Sequence, residues 1–120
     1  MSILCAVDLS RASGLALTAA SRIASTFAQR LTIVTVADPL LAAAEGVRSG
    51  ADPLALLTQA LGEFVDDTLG AGASAQHQLV VPVGDPSTEI LGQADAVEAE
   101  LVVLGTQGAS GVSKFVFGSV

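Results

Sequence analysis

The stretch GTQGASGVSKFVFGS, Gly105 to Ser119, holds four glycines in fifteen residues, at 105, 108, 111 and 118. Glycine tolerates positive φ and close backbone approach, so consecutive N–H groups can converge on an anion. Ser110, Ser113 and Ser119 add hydroxyl donors, and Lys114 supplies a positive charge. A helix starting near Gly118-Ser119 would point its positive dipole end and its free N–H groups into the same space. The chemistry open to such a ribbon is the holding of phosphate. It is not a Walker A loop, because GxxxxGK[ST] is absent. The Asp8 to Gly14 turn has no GxGxxG either, which excludes the dinucleotide fingerprint.

The ribbon must be positioned by the elements before it. Ile3 to Val7 is apolar without alternation, the pattern of a strand covered on both faces. Ser10 is a good N-cap for a helix reaching about Arg30, with Leu15, Ala19, Ile23 and Phe27 as its expected buried stripe. Leu31 to Val36 reads as a second strand, and Asp38 to Gly50 as a loop with room for a helical turn. Asp52-Pro53 opens a helix whose stripe is Leu57, Leu61, Phe64, Val65 and Thr68, stopped near Gly70 to Gly72. Gln76 to Val83 is a third strand, and Pro82 assigns it to a sheet edge. Asp85-Pro86 repeats the cap-proline device, followed by Ile90, Leu91, Ala94 and Val97. Leu101 to Leu104 is a fourth strand, ending at Gly105.

One strand per helix, joined by right-handed crossovers, gives an α/β fold: an open parallel sheet with helices on both faces. Strands one and four read as central and strand three as an edge, which an order of 3-2-1-4 satisfies. The winding then reverses between strands one and four. Ligands bind at the carboxyl ends of strands flanking such a point. Those ends are Val7-Asp8 and Leu104-Gly105, so a pocket is expected there. A bare apolar fourth strand is an aggregation hazard. The sequence therefore reads as one domain, 1–120, apparently truncated at its C-terminus and lacking a fifth strand.

Composition narrows the function. The chain has 120 residues, 51% of them hydrophobic, and a formal net charge of −7. Half-apolar composition excludes a disordered chain, and the negative charge disfavours nucleic acid and anionic membranes. No apolar run approaches the roughly 18 residues needed to span a bilayer, and the start lacks the pattern of a signal peptide. Cys5 alone cannot form an internal disulfide, which suits a cytoplasmic protein. No Cys/His cluster has metal-ligand spacing.

The spacing Gly105-x2-Gly108-x9-Gly118-Ser119 resembles the ATP-binding signature of the universal stress protein family. ILCAVDLS at 3–10 is similar to that family's opening strand, and LTIVTVADP to its second. GDPSTEIL at 84–91 is similar to the lead into its third helix, and AELVVLGTQGASGVSKFVFGSV to its closing block, cut short. The resemblance implies ATP, ADP or AMP as ligand. It implies that Ala6, Val7 and Asp8 form the adenosine wall, with Asp8 the polar contact, and that Val36 meets the adenine. Gly105, Thr106, Gly108, Ala109, Ser110 and Gly111 would wrap ribose and phosphates. Gly118, Ser119 and Val120 would bind the phosphates. The family also implies a last helix and strand, with homodimers formed through that strand in the full-length form.

Simpler roles exist for several of these residues. Cys5 is expected in the core, His77 and Asp66-Asp67 in solvent, and Asp52 and Asp85 as caps. The leading functional reading is a nucleotide-binding stress-response regulator, whose ligand sets the loop's order and whose phosphates bring Mg²⁺. The alternatives are an interaction module without nucleotide, pairing through the open fourth strand, and a slow ATPase. The ATPase needs a base or water-positioning group that nothing near the loop marks.

Overall fold

The computed structural model describes residues 2–40, 52–107 and 113–118. Five strands form one sheet in the order β3-β2-β1-β4-β5. They are β1 (Ser2–Ala6), β2 (Arg30–Val34), β3 (Gln78–Val80), β4 (Ala99–Gln107) and β5 (Ser113–Gly118). Strands β1 to β4 are mutually parallel in the order 3-2-1-4 that the crossover argument requires. Helices are α1 (Arg11–Thr26), α2 (Pro53–Leu69), the short α3 (Ala73–Gln76) and α4 (Pro86–Ala96).

Each long helix starts where its cap residue sits. Ser10 Oγ accepts the Ser13 N–H at 3.2 Å. Asp52 Oδ1 accepts that of Leu54 at 3.0 Å, and Asp85 Oδ2 that of Thr88 at 3.1 Å. The prolines at 53 and 86 follow directly, where a missing N–H costs nothing.

The sheet is packed on both faces. On one, Ile3, Cys5, Leu31, Ile33 and Val103 meet Ala16, Leu17, Ala20 and Ala24 of α1 and Leu61 and Val65 of α2. On the other, Leu4, Ala6 and Val34 meet Ala94 of α4, with Ile90, Val102 and Leu104 against them. Alternation along β1 thus feeds two cores, which is why the strand is apolar at every position. Burial pushes the Cys5 thiol up to about 12, as expected of a core cysteine.

Several expectations need correction. The buried face of α1 is Ala12, Ser13, Ala16, Leu17, Ala20 and Ala24, while Leu15 and Phe27 are exposed. The reason is proximity: α1 lies so close to β4 that small residues must face the sheet. On α4, Ala94 is buried and Leu91 is exposed. The third strand is shorter than Gln76 to Val83, because α3 takes its start and pairing stops at Val80; a single bridge joins Ala37 to Val83.

The largest difference lies after Leu104. Strand β4 does not end there but runs through Gly105 to Gln107, and residues 113–118 return as β5, antiparallel to it. The fourth strand is therefore paired on both sides, and the sheet has a fifth strand. It is built from residues read as loop. The helix expected from Gly118 is replaced at that residue by strand, and Ser119 and Val120 lie outside the described residues. So do residues 41–50 of the expected Asp38–Gly50 loop.

Candidate functional site

The first strand ends at Ala6, and its ladder with β2 closes with the Val7 N–H on the Val34 carbonyl at 2.8 Å. Beyond that bond the chains part. The β2 extension turns to β3 instead: Thr35 N–H reaches the Val80 carbonyl at 3.2 Å and Ala37 N–H the Pro82 carbonyl at 2.8 Å. In a parallel ladder the intervening residue, Val36, faces its N–H and C=O the other way. Among the described residues no hydrogen bond takes up either group.

A cavity of about 430 Å³ lies where the strands separate. Its floor is Ala6, Val7 and Val34 at the carboxyl ends of β1 and β2, with Leu104 and Gly105 of β4 alongside. Its walls are Thr35 and Val36 on one side, Asp8 and Leu9 on another, and Leu57 of α2 with Pro86 and Ile90 of α4. The lining is apolar except for Thr35 and Asp8. This is the volume and character of a small-molecule site: an apolar slot with few polar groups to fix orientation.

The β1–α1 turn shapes the mouth. Asp8 Oδ1 accepts the Ser10 N–H at 2.9 Å, bending the chain into α1. Leu9, inside that bend, holds φ of 65°, the left-handed region that costs a branched side chain about 1–2 kcal/mol. Partial burial raises the Asp8 pKa, but hydrogen bonds from Ser10 and Ser13 lower it by more. The carboxyl is therefore held below the usual aspartate value and stays ionised at neutral pH.

Gly105 has a second reason to be glycine. A Cβ built there would stand 2.5 Å from the Ala12 carbonyl oxygen and 2.9 Å from the Ala16 Cβ. Helix α1 crosses β4 at this residue, and the missing side chain is what lets it do so.

Of the residues singled out from sequence, Ala6, Val7, Asp8, Val36 and Gly105 are brought together around one cavity. Thr106 continues β4 just beyond Gly105. Gly118 stands in the β4–β5 ladder. It pairs with Val102, which lies level with Leu4, below the strand ends that floor the cavity. Gly108, Ala109, Ser110, Gly111, Ser119 and Val120 lie outside the described residues. Sequence reasoning missed Leu9, Val34, Thr35, Leu57, Pro86 and Ile90. The cap-proline signal marked Pro86 as a helix start, which in this topology is also a place at the rim. Nothing local marked Leu9.

The sequence pattern of the universal stress protein family matches residues 1–120. The chain belongs to that family. UspA from Lactobacillus plantarum, another universal stress protein, is 26% identical with a TM-score of 0.65, over 90% of this chain and 79% of that one. A universal stress protein crystallised in complex with cAMP is 22% identical with a TM-score of 0.59, over 85% of this chain and 73% of that one. One from Archaeoglobus fulgidus is 20% identical with a TM-score of 0.60, over 99% and 86%. The last two likenesses are of fold alone. No curated protein sequence matches the chain. As a universal stress protein it places its cavity at the switch point of its sheet, and none of its described helices is long and apolar enough to cross a membrane.

Proposed function

We propose that this universal stress protein binds an adenine nucleotide in the cavity at the ends of β1 and β2, beside Leu104 and Gly105 of β4, and that occupancy regulates its association with partners. The observation that carries this is the Val36 N–H and C=O, which no hydrogen bond among the described residues takes up, beside an apolar slot. An adenine edge offers an acceptor and an amino donor side by side, which one residue's backbone pair complements. The flat base suits a slot lined by Val36, Ile90 and Leu104, and Asp8 faces the ribose hydroxyls as an acceptor. The relative in complex with cAMP adds support, being an adenine ligand on the same fold. ATP, ADP and AMP are the ligands proposed. Phosphates would extend from the mouth toward Gly105 and Thr106, with Mg²⁺ offsetting their charge on a chain of net charge −7.

Thermal unfolding with each nucleotide tests this. Ligand at about 100 times Kd stabilises the folded state by about 2.7 kcal/mol, a rise of several degrees in Tm. Val36→Phe fills the slot from a position outside the regular ladder and is expected to abolish the rise while leaving the unliganded Tm close to wild type. No rise with any adenine nucleotide at millimolar concentration refutes the proposal.

A second reading rests on β5, which has a strand neighbour on one side only among the described residues. Its outer edge can accept a strand from another copy, giving a homodimer or an interaction module that works without nucleotide. Sedimentation with and without ATP separates the two: association indifferent to nucleotide favours the second.

A further inference from the structure

The cavity lies astride the sheet, and strand alternation divides its lining between the two faces. Along β2, Ile33 packs with the core on the α1–α2 side and Val34 with the core on the α4 side. Thr35 therefore shares the first side with Leu9, and Val36 shares the second with Ile90 and Leu104. Thr35 is 5% exposed, and its N–H is spent on the Val80 carbonyl at 3.2 Å. Its hydroxyl is different. Ser2 and Ser13, buried alike, donate theirs to the Val97 carbonyl at 2.7 Å and the Ser10 carbonyl at 3.0 Å. No hydrogen bond among the described residues takes up the Thr35 hydroxyl. Nor is any side-chain oxygen or nitrogen among them sealed from solvent without a partner. The hydroxyl therefore opens onto free volume, and the free volume that Thr35 lines is the cavity. A hydroxyl brings one donor and two acceptor positions, and a guest molecule can use them.

We infer that Thr35 is a base-reading residue of the site: its hydroxyl hydrogen-bonds a ring nitrogen of the adenine whose amino edge the Val36 backbone takes. This inference rests on the adenine reading of the cavity. Two consecutive residues of one strand end then serve one base. Adenine's ring nitrogens accept hydrogen bonds, and in an apolar slot a placed hydroxyl fixes which way round the base sits. The contact also makes the site selective, because a slot built around a hydroxyl disfavours a ring that leaves it unpaired.

Calorimetric titration of the full chain, as wild type, Thr35→Val and Thr35→Ser, with adenosine, 7-deazaadenosine and 3-deazaadenosine tests the inference. Valine keeps the branched shape and removes the hydroxyl, and serine keeps the hydroxyl. Thr35→Val is expected to bind adenosine about fivefold more weakly than wild type, and Thr35→Ser within about twofold of it. The deaza analogue missing the contacted nitrogen is expected to bind wild type about fivefold more weakly than adenosine does, and to bind wild type and Thr35→Val alike. Without ligand, Thr35→Val is expected to melt no lower than wild type, since the fold spends nothing on that hydroxyl. An adenosine Kd unchanged by Thr35→Val overturns the inference while the adenine site stands. So does an equal weakening of adenosine and both deaza analogues. A fall of several degrees in the unliganded Tm of Thr35→Val assigns the hydroxyl to the fold and overturns the inference as well. If no adenine compound binds wild type, the reading of the cavity falls and this inference falls with it.

Discussion

Replacing Gly105 by alanine sets the packing role of that glycine against its expected role in a ligand loop. The new methyl would lie 2.5 Å from the Ala12 carbonyl oxygen, 2.9 Å from the Ala12 carbonyl carbon and 2.9 Å from the Ala16 Cβ. Two of these atoms are helix backbone and the third is fixed to it, so no flexible side chain can swing aside. Helix α1 must move off β4, opening the layer that buries Ala16, Leu17 and Ala20. Overpacking of this kind costs about 1–3 kcal/mol. Alanine recovers about 0.5–1 kcal/mol of strand entropy that glycine forgoes. The net loss is therefore centred on about 1 kcal/mol and reaches at most about 2.5 kcal/mol, a Tm lowered by roughly 5 °C at the centre for a domain of this size. Urea and thermal unfolding without ligand read it directly. Gly62→Ala is the control, because a Cβ there meets nothing within 4 Å. A Gly105→Ala protein as stable as wild type refutes the packing argument and returns the residue to a purely ligand-binding role.

Gly62→Ala in α2 and Gly92→Ala in α4 both enter open space within helices, and each is expected to raise stability by about 0.5–1 kcal/mol in urea titrations. Cys5, fully buried with its thiol pushed up to about 12, is expected to resist a thiol reagent at pH 8 in the folded protein and to react fully in denaturant. The Asp8 carboxyl is held lower in the folded than in the unfolded chain, so its contribution is present above about pH 4 and is lost as pH falls through the folded value. Wild type is therefore expected to lose more stability than Asp8→Asn between pH 4 and pH 2.5, measured by urea unfolding; parallel profiles count against that role.

Strand order could be read from the chain because two kinds of signal agree. Residues 3–7 are apolar on both faces, and the Asp-Pro pairs at 52–53 and 85–86 fix where helices begin. The site's location followed from topology, since the winding reverses between β1 and β4, and Val7, Asp8, Leu104 and Gly105 on those strands and the turn after β1 line the cavity. The α1 face was misread because hydrophobicity favoured Leu15 and Phe27, whereas contact distance at Gly105 demanded Ala12, Ala16 and Ala20. That constraint comes from a strand nearly ninety residues further along the chain. β5 was missed because glycines at 105, 108, 111 and 118 suggest a loop, while in the ladder Gly105 faces Phe115 and Gly118 faces Val102. Leu9 left no trace, as its backbone state is imposed by the Asp8–Ser10 turn around it.

The first of the described strands in chain order is the middle of the sheet, and Ser2 Oγ donates to the Val97 carbonyl across 95 positions of sequence. During translation β1 can pair with β2 early, but its other flank stays bare until β4 has emerged. The crevice between those flanks consequently has no partial version: a chain stopped before β4 has no floor for a guest molecule. Occupancy then reports on completion of the entire sheet, so a ligand resting there slows global opening and not the fraying of one loop.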